Sequence, residues 1–249
     1  MIGKFMYLPS LMNMDVTLCN EAVIINSGIS SDMFNIVCGI RNKNALHSAV
    51  EKFRNEKLPF ACWVCFDNDY PECKKDLEEI GFICDEHELG MFAEIEKLSR
   101  EKKCDELRIS PVDDLKRLDD FIQIYRELIP HDADAIKMFY ERASEHILNP
   151  ESSLKLFVGY FRDKPAATGA LFMNESTAGV WDVVTLPQFR RRGIGTDITC
   201  HAFFYAFDSF GRHIGVLSAS EDGEPVYRKI GFQKLKDFFV FNIENVDLR

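Results

Sequence analysis

No run of about 18 consecutive apolar residues occurs anywhere in this 249-residue chain, so nothing in it reads as a membrane-spanning helix. Residues 1–14 lack the long apolar segment and small-residue cleavage site of a secretory signal, and the expected location is therefore cytoplasmic. There is no surplus of basic residues: the formal net charge is −10, which argues against a broad nucleic-acid-binding face and against a nucleic-acid partner. An acidic surface suits a cationic substrate, but it serves solubility equally well. Ligand spacing for a metal is also missing. The six histidines form no His-x-x-x-His pair, and Cys62-Trp63-Val64-Cys65 lies in a strand-like run where residues three apart point to opposite faces. Seven of the eight cysteines precede residue 105 in no disulfide-scaffold spacing, so they read as buried free thiols and no metal is expected.

Two phosphate-binding signatures are absent as well. The sixth position of a Gly-x-Gly-x-x-Gly motif starting at Gly193 is Ile198, and no Gly-x-x-x-x-Gly-Lys-Ser/Thr string occurs. What the chain does have is Arg190, Arg191, Arg192, Gly193, Ile194, Gly195 and Thr196, placed where an apolar strand run over residues 180–185 ends and a helical run over about 194–208 begins. A glycine-rich turn feeding a helix N-terminus is an anion site, because unpaired N–H groups converge there and the helix dipole favours negative charge. Gly193 and Gly195 admit a pyrophosphate to bare backbone, and the three arginines supply charge around its rim. The alternatives are a local nucleic-acid patch or a solvated turn.

Arg-x-x-Gly-x-Gly behind an apolar strand, followed by Ile214 to Ser220 and by Tyr227-Arg228-Lys229-Ile230-Gly231-Phe232, resembles the GCN5-related N-acetyltransferase (GNAT) superfamily. Residues 154–160 and 166–173 around Arg162-Asp163-Lys164-Pro165 read as the preceding hairpin, and residues 107–111 and 115–128 as the start, so the resemblance covers roughly residues 105–245. It implies an α/β (α+β type) fold with a mixed, mainly antiparallel central sheet flanked by helices, and acetyl-CoA as cosubstrate. It further implies that Val183 and Val184, with Thr185, face the pantetheine arm, that Arg190 to Thr196 hold the pyrophosphate, and that Tyr227 protonates the CoA sulfur. Ser220 stands where many members carry Asn and is able to hydrogen-bond or cap the following helix. Asp182 reads either as the group that takes the amine proton or as an ordinary strand residue. The acceptor implied is an amine on a small molecule or peptide, received by a monomer or homodimer. Two other functions remain open: a CoA-binding regulatory or scaffold protein without turnover, and an acyltransferase for longer acyl-CoA.

Residues 60–66 and Leu77-Glu78-Glu79-Ile80-Gly81-Phe82 echo the C-terminal strand and Gly-Phe ending, with the two Gly-Phe pairs 150 residues apart. The reading is a second, smaller and degenerate GNAT-like half over residues 1–100, expected to hold no cofactor, ahead of a catalytic domain over residues 105–249. In it Leu77 replaces Tyr227, while Lys43 and Ala45 replace Gly193 and Gly195. The boundary is expected in the charged stretch 97–106. The helix after the phosphate turn is apolar on most faces through Phe203, Phe204, Phe207 and Phe210, which points either to cover from the N-terminal half or another subunit, or to a thick aromatic core.

Overall fold

The computed structural model describes residues 2–19, 22–40, 43–67 and 70–243, and the chain divides into Met1–Leu89 with Lys236–Arg249 as one unit and Gly90–Leu235 as the other. Both are mixed α/β with mainly antiparallel pairing. In the first unit α1 (Ile2–Leu11) precedes β1 (Asp15–Cys19), β2 (Ala22–Asn26) and β3 (Ile36–Cys38); α2 (Lys43–Glu56) then crosses to β4 (Ala61–Cys65), and α3 (Tyr70–Ile80) follows. The α2 crossover makes β3 and β4 parallel, as a helical connection of this length requires. Ala45, Leu46, Ala49, Val50 and Phe53 recur at helical spacing on one face of α2 and are buried. They close a core in which Phe60 stacks on Phe53 at 4.4 Å and meets Phe82 edge-on at 5.3 Å.

β5 (Ile83–Glu94) carries the chain into the second unit at Gly90. There follow β6 (Leu107–Pro111), α4 (Leu115–Leu128), α5 (Ala133–Arg142), α6 (Ser144–Ile147), β7 (Leu154–Phe161), β8 (Lys164–Met173), β9 (Thr177–Thr185), α7 (Ile194–Phe210), β10 (Ile214–Ala219), α8 (Glu224–Lys229) and β11 (Gln233–Asn242). The strand order within this unit is β10-β9-β8-β7-β6, with β9 and β10 parallel and the rest antiparallel. The β7–β8 hairpin turns on Arg162 and Asp163, both in the left-handed region at φ 48° and 63°, the conformation a two-residue hairpin needs. Asp114 caps α4 by accepting the Arg117 N–H at 2.7 Å, and α7 stops at Gly211, which adopts φ 64°.

Two boundaries differ from the sequence reading. The charged stretch 97–106 is not between units but inside the second, and the end of β11 belongs to the first. Phe238, Phe239, Val240 and Phe241 of β11 pair antiparallel with Cys65, Val64, Trp63 and Cys62 of β4, which places Phe241 in the core of the first unit. Sequence order hides this exchange because long-range strand pairing leaves no local periodicity.

Residues 99–104 lack apolar periodicity for a reason that appears in three dimensions: they form a strap over α7. Asp197 on α7 is buried and its carboxylate accepts the N–H groups of Lys103 and Cys104, each at 2.8 Å. The Arg100 guanidinium lies 3.9 Å from the Phe204 ring centroid and forms a two-pronged bond to Asp208. Phe203 is fully buried on Phe232 within the same unit, and a Cβ on Gly215 would meet it at 2.9 Å. The apolar circumference of α7 is therefore covered by its own sheet and strap over Phe203 and Phe204, while Phe210 stays 40% exposed.

Among the described residues, no helix is long and apolar enough to cross a membrane and no group of His, Cys, Asp and Glu is arranged to hold a metal ion. Cys38, Cys62 and Cys104 are buried free thiols and Cys73 is buried, whereas Cys84 is exposed. Burial raises the Cys38 thiol to about 12.

Candidate active site

The strands β9 and β10 start as neighbours and then part. Their registered pairs run from Ile214↔Thr177 to Leu217↔Val180 and end there, which leaves Trp181 to Thr185 beyond the pairing with β10 while β8 still holds β9 from the other side. The register of β8 and β9 slips between Thr168 and Ala170, and Asp182 takes the extra position at φ 54°. A β-bulge of this kind bends the strand and re-aims its side chains. For a non-glycine residue the left-handed conformation costs on the order of 1–2 kcal/mol, so it persists only where surrounding contacts impose it. Here Thr168 Oγ1 donates to the Asp182 carbonyl at 2.9 Å. Tyr125 of α4 donates its hydroxyl to Asp182 Oδ1 at 3.2 Å.

Past the end of β9, Gly193 occupies the left-handed region at φ 80°, Arg191 precedes it at φ 59°, and α7 begins. The Asp197 N–H makes the first intrahelical bond, to Gly193 O at 3.0 Å, so the N–H groups of Ile194, Gly195 and Thr196 precede the helical ladder. This N-terminus lies beside the open part of β9: a Cβ on Gly195 would stand 3.9 Å from both Thr185 Oγ1 and Val183 Cγ1, in space the protein leaves clear. At Gly193 the demand is different, since a Cβ there would come within 2.4 Å of Lys103 Cβ. One glycine makes room for the strap, and the other keeps a cradle that a side chain would fill. Backbone N–H groups at a helix N-terminus are the chemistry of an anion site.

The three arginines do not act as one group. Arg190 Nε donates to Thr185 O at 3.0 Å and ties the turn to the strand end, Arg192 sits 5.0 Å from the Phe161 ring centroid, and all three are exposed. Val183, Val184 and Thr185 are half-buried on the open part of β9. After β10, Ser220 Oγ accepts the Gly223 N–H at 3.3 Å and its carbonyl accepts the Glu224 N–H at 2.9 Å, so Ser220 caps the turn that starts α8. Tyr227 on α8 is half-buried, with its ring 6.2 Å from Phe232 and its edge close enough that a Cβ on Gly223 would meet Cε2 at 3.1 Å. Asp182 to Thr196 thus converge around the open end of β9, and Ser220 and Tyr227 follow the strand that parts from it.

The sequence reading missed Tyr125, Thr168 and Tyr140. Tyr125 and Tyr140 are buried phenols whose rings meet edge-on at 6.2 Å. Burial first, and then the Asp182 carboxylate, push both well above the usual tyrosine range, so both stay protonated. Their only signal in the sequence is a place on the apolar faces of α4 and α5.

Residues 118–232 match the model of the acetyltransferase (GNAT) family. Among solved structures, a GCN5-related N-acetyltransferase from Kribbella flavida superposes with a TM-score of 0.71 at 14% identity, covering 98% of this chain and 94% of its own. A conserved protein of unknown function from Staphylococcus epidermidis follows at 0.67 and 16%, covering 94% and 96%. A tandem GNAT protein from the clavulanic acid biosynthesis pathway reaches 0.58 at 10%, covering 90% and 81%. At such identities the likeness is one of fold. No curated protein matches the sequence. The match over residues 118–232 and the helix-flanked, mainly antiparallel sheet together give the second unit a GNAT-like domain.

Proposed function

We propose that the second unit transfers an acetyl group from acetyl-CoA to a primary amine on a small molecule or peptide, by direct attack in a ternary complex. The observation that carries this reading is the parting of β9 from β10 beyond Val180 and Leu217, beside the α7 N-terminus that Gly195 keeps clear. A narrow cleft between parted strands suits an extended arm, and a helix N-terminus suits its pyrophosphate. In this reading Ile194, Gly195 and Thr196 donate N–H groups to the phosphates, Arg190, Arg191 and Arg192 balance their charge, and Val183, Val184 and Thr185 offer the strand edge to the pantetheine. Ser220 shapes the α8 turn at the other wall.

Acetyl-CoA supplies the acetyl group as a thioester. Asp182 takes a proton from the acceptor ammonium and frees the nitrogen lone pair for attack on the carbonyl carbon. As the C–N bond forms and the C–S bond breaks, Tyr227 gives its phenolic proton to the departing sulfur, and the second nitrogen proton passes to solvent when the amide is complete. Proximity contributes much of the acceleration, and a phenol of ordinary pKa about 10 is a serviceable donor to a thiolate. The first unit, in the same reading, is a degenerate relative of the second that binds no acetyl-CoA.

The test is a panel of small amines, amino acids, aminoglycoside-type antibiotics, peptides and protein N-termini, with thiol detection of released CoA. Acetyl-CoA-dependent thiol release with at least one amine is expected. Tight CoA binding without release across the panel would overturn the transferase reading in favour of a regulatory CoA-binding protein, and faster turnover of a longer acyl-CoA would replace acetyl as the transferred group.

A further inference from the structure

Asp182 is held twice. Its carbonyl accepts the hydroxyl of Thr168, a residue with no solvent exposure, and its carboxylate accepts the hydroxyl of Tyr125, which is 7% exposed. The Tyr125 ring is itself confined. Phe121, fully buried one turn earlier on α4, lies 5.9 Å away, and Tyr140 of α5 crosses it at 88°. Phe121 and Tyr140 are also in contact, at 5.2 Å, which closes an aromatic triad from two helices. A phenol locked in this way presents its proton at one fixed point, and a strained strand residue is docked onto it.

We propose that Tyr125 is a positioning residue that fixes the Asp182 carboxylate for an acceptor arriving as a primary alkylammonium cation, so that the site selects charged alkylamines over amines that are neutral at pH 7. The inference rests on the reading of Asp182 as the group that meets the acceptor nitrogen. The chemistry follows from the neighbours. A carboxylate in a half-buried strand position attracts a cation far more strongly than one in open water, and the Tyr125 hydroxyl fixes where one of its oxygens points. An alkylammonium must be both gathered and deprotonated, and one oriented carboxylate serves both steps. An arylamine carries no charge at neutral pH and gains from neither. Thr168 holds the backbone and Tyr125 the side chain, so the position that is costly to adopt is the one most firmly fixed.

The experiment compares the best primary alkylamine of the acceptor panel with the arylamine of the same skeleton, in the wild type, Tyr125→Phe and Tyr140→Phe. The wild type is expected to prefer the alkylamine by at least about tenfold in kcat/KM. Tyr125→Phe should raise KM for the alkylamine about tenfold, the size expected for losing a hydrogen bond to a charged group, and should shrink the alkyl-to-aryl preference while the Kd of acetyl-CoA stays unchanged. Tyr140→Phe keeps the ring in the triad and should leave the preference intact. Equal use of both amines by the wild type, or the same loss in both variants, would overturn the inference while leaving the transferase reading in place. Absence of turnover with every amine would overturn both.

Discussion

Two segments of this protein share one backbone and differ in what they carry. In the first unit the Phe82 N–H bonds to Leu77 O at 3.0 Å and the Gly81 N–H to Glu78 O at 3.1 Å; in the second, Phe232 bonds to Tyr227 O at 3.0 Å and Gly231 to Arg228 O at 3.1 Å. Gly81 and Gly231 adopt φ 99° and 112°, and Phe82 and Phe232 are both buried. Each helix is thus closed by the same turn and anchored by the same phenylalanine. At the residue that opens each turn they differ: Leu77 is fully buried in the core, whereas Tyr227 is half-buried beside the Ser220 turn. The helix N-termini diverge in the same sense. Gly193 and Gly195 open α7, while α2 opens with Lys43, whose ammonium is 2.7 Å from Glu79 and 3.4 Å from Asp76, and with Ala45 in the core. A phosphate at α2 would meet two carboxylates. The turn is shared by both units, and in the proposed reading function depends on the side chains hung from it. This supports the reading of the first unit as a degenerate copy.

The sharpest way to break the comparison is at the two phosphate turns. Gly195→Asp should abolish acetyl-CoA binding, by at least about 100-fold in calorimetry, because it places a side chain and a negative charge in the cradle. Gly193→Asp should do the same but also disturb folding, given its positive φ and the Lys103 backbone beside it. Unchanged affinity in a folded Gly195→Asp protein would remove this turn from the site. The wild type should bind one acetyl-CoA per chain, and two would reinstate the first unit as a working site.

Tyr227→Phe should lower kcat by about 100-fold with acetyl-CoA affinity preserved, as general-acid catalysis implies. A wild-type rate would leave Tyr227 with the packing role that Leu77 has. Conversely, Leu77→Ala should cost about 2–5 kcal/mol of stability in denaturant unfolding, the usual range for emptying a filled core site, and it should not change the acetyl-CoA Kd of the folded protein. The smallest effect is expected for Lys43→Ala. It removes the exposed ion pair with Glu79 and a longer one, at 3.4 Å, with the buried Asp76, so it should lower the unfolding midpoint only modestly and leave acetyl-CoA affinity unchanged.

The strap adds a structural contrast to these. A fragment starting at residue 105 lacks Arg100, Lys103 and Cys104, and so leaves the buried Asp197 carboxylate without the two N–H donors it accepts. Each lost donor to a buried charge costs about 1–3 kcal/mol, so the fragment should aggregate or lose cooperative unfolding. A soluble, active fragment from residue 105 would show that the strap is dispensable.

Elements whose cause is local were legible from the residues. The glycine turn between an apolar strand and a helix, the hairpin at Arg162 and Asp163, and the Gly-Phe endings all announce themselves within a few residues, because capping, turn geometry and amphipathic periodicity act over one or two turns of chain. What stayed hidden depends on partners far away in sequence. Residues 97–106 looked like a linker because a strap made of backbone donors and one arginine has no apolar period. The last strand looked like part of the second domain because nothing in Phe238 to Phe241 names β4 as its partner.

The sequence by itself determined that a helix N-terminus with bare glycines follows a buried strand, and that Tyr227 precedes a Gly-Phe turn, since backbone sterics at glycine and the reach of a capping bond are properties of neighbouring residues. Only the tertiary structure decided that Asp182 is a strained bulge held by Thr168 and Tyr125, residues 14 and 57 positions away, and that β9 parts from β10 just before it. A left-handed strand residue is unfavourable on its own, and it exists here because packing between helices and sheet supplies the bonds that hold it.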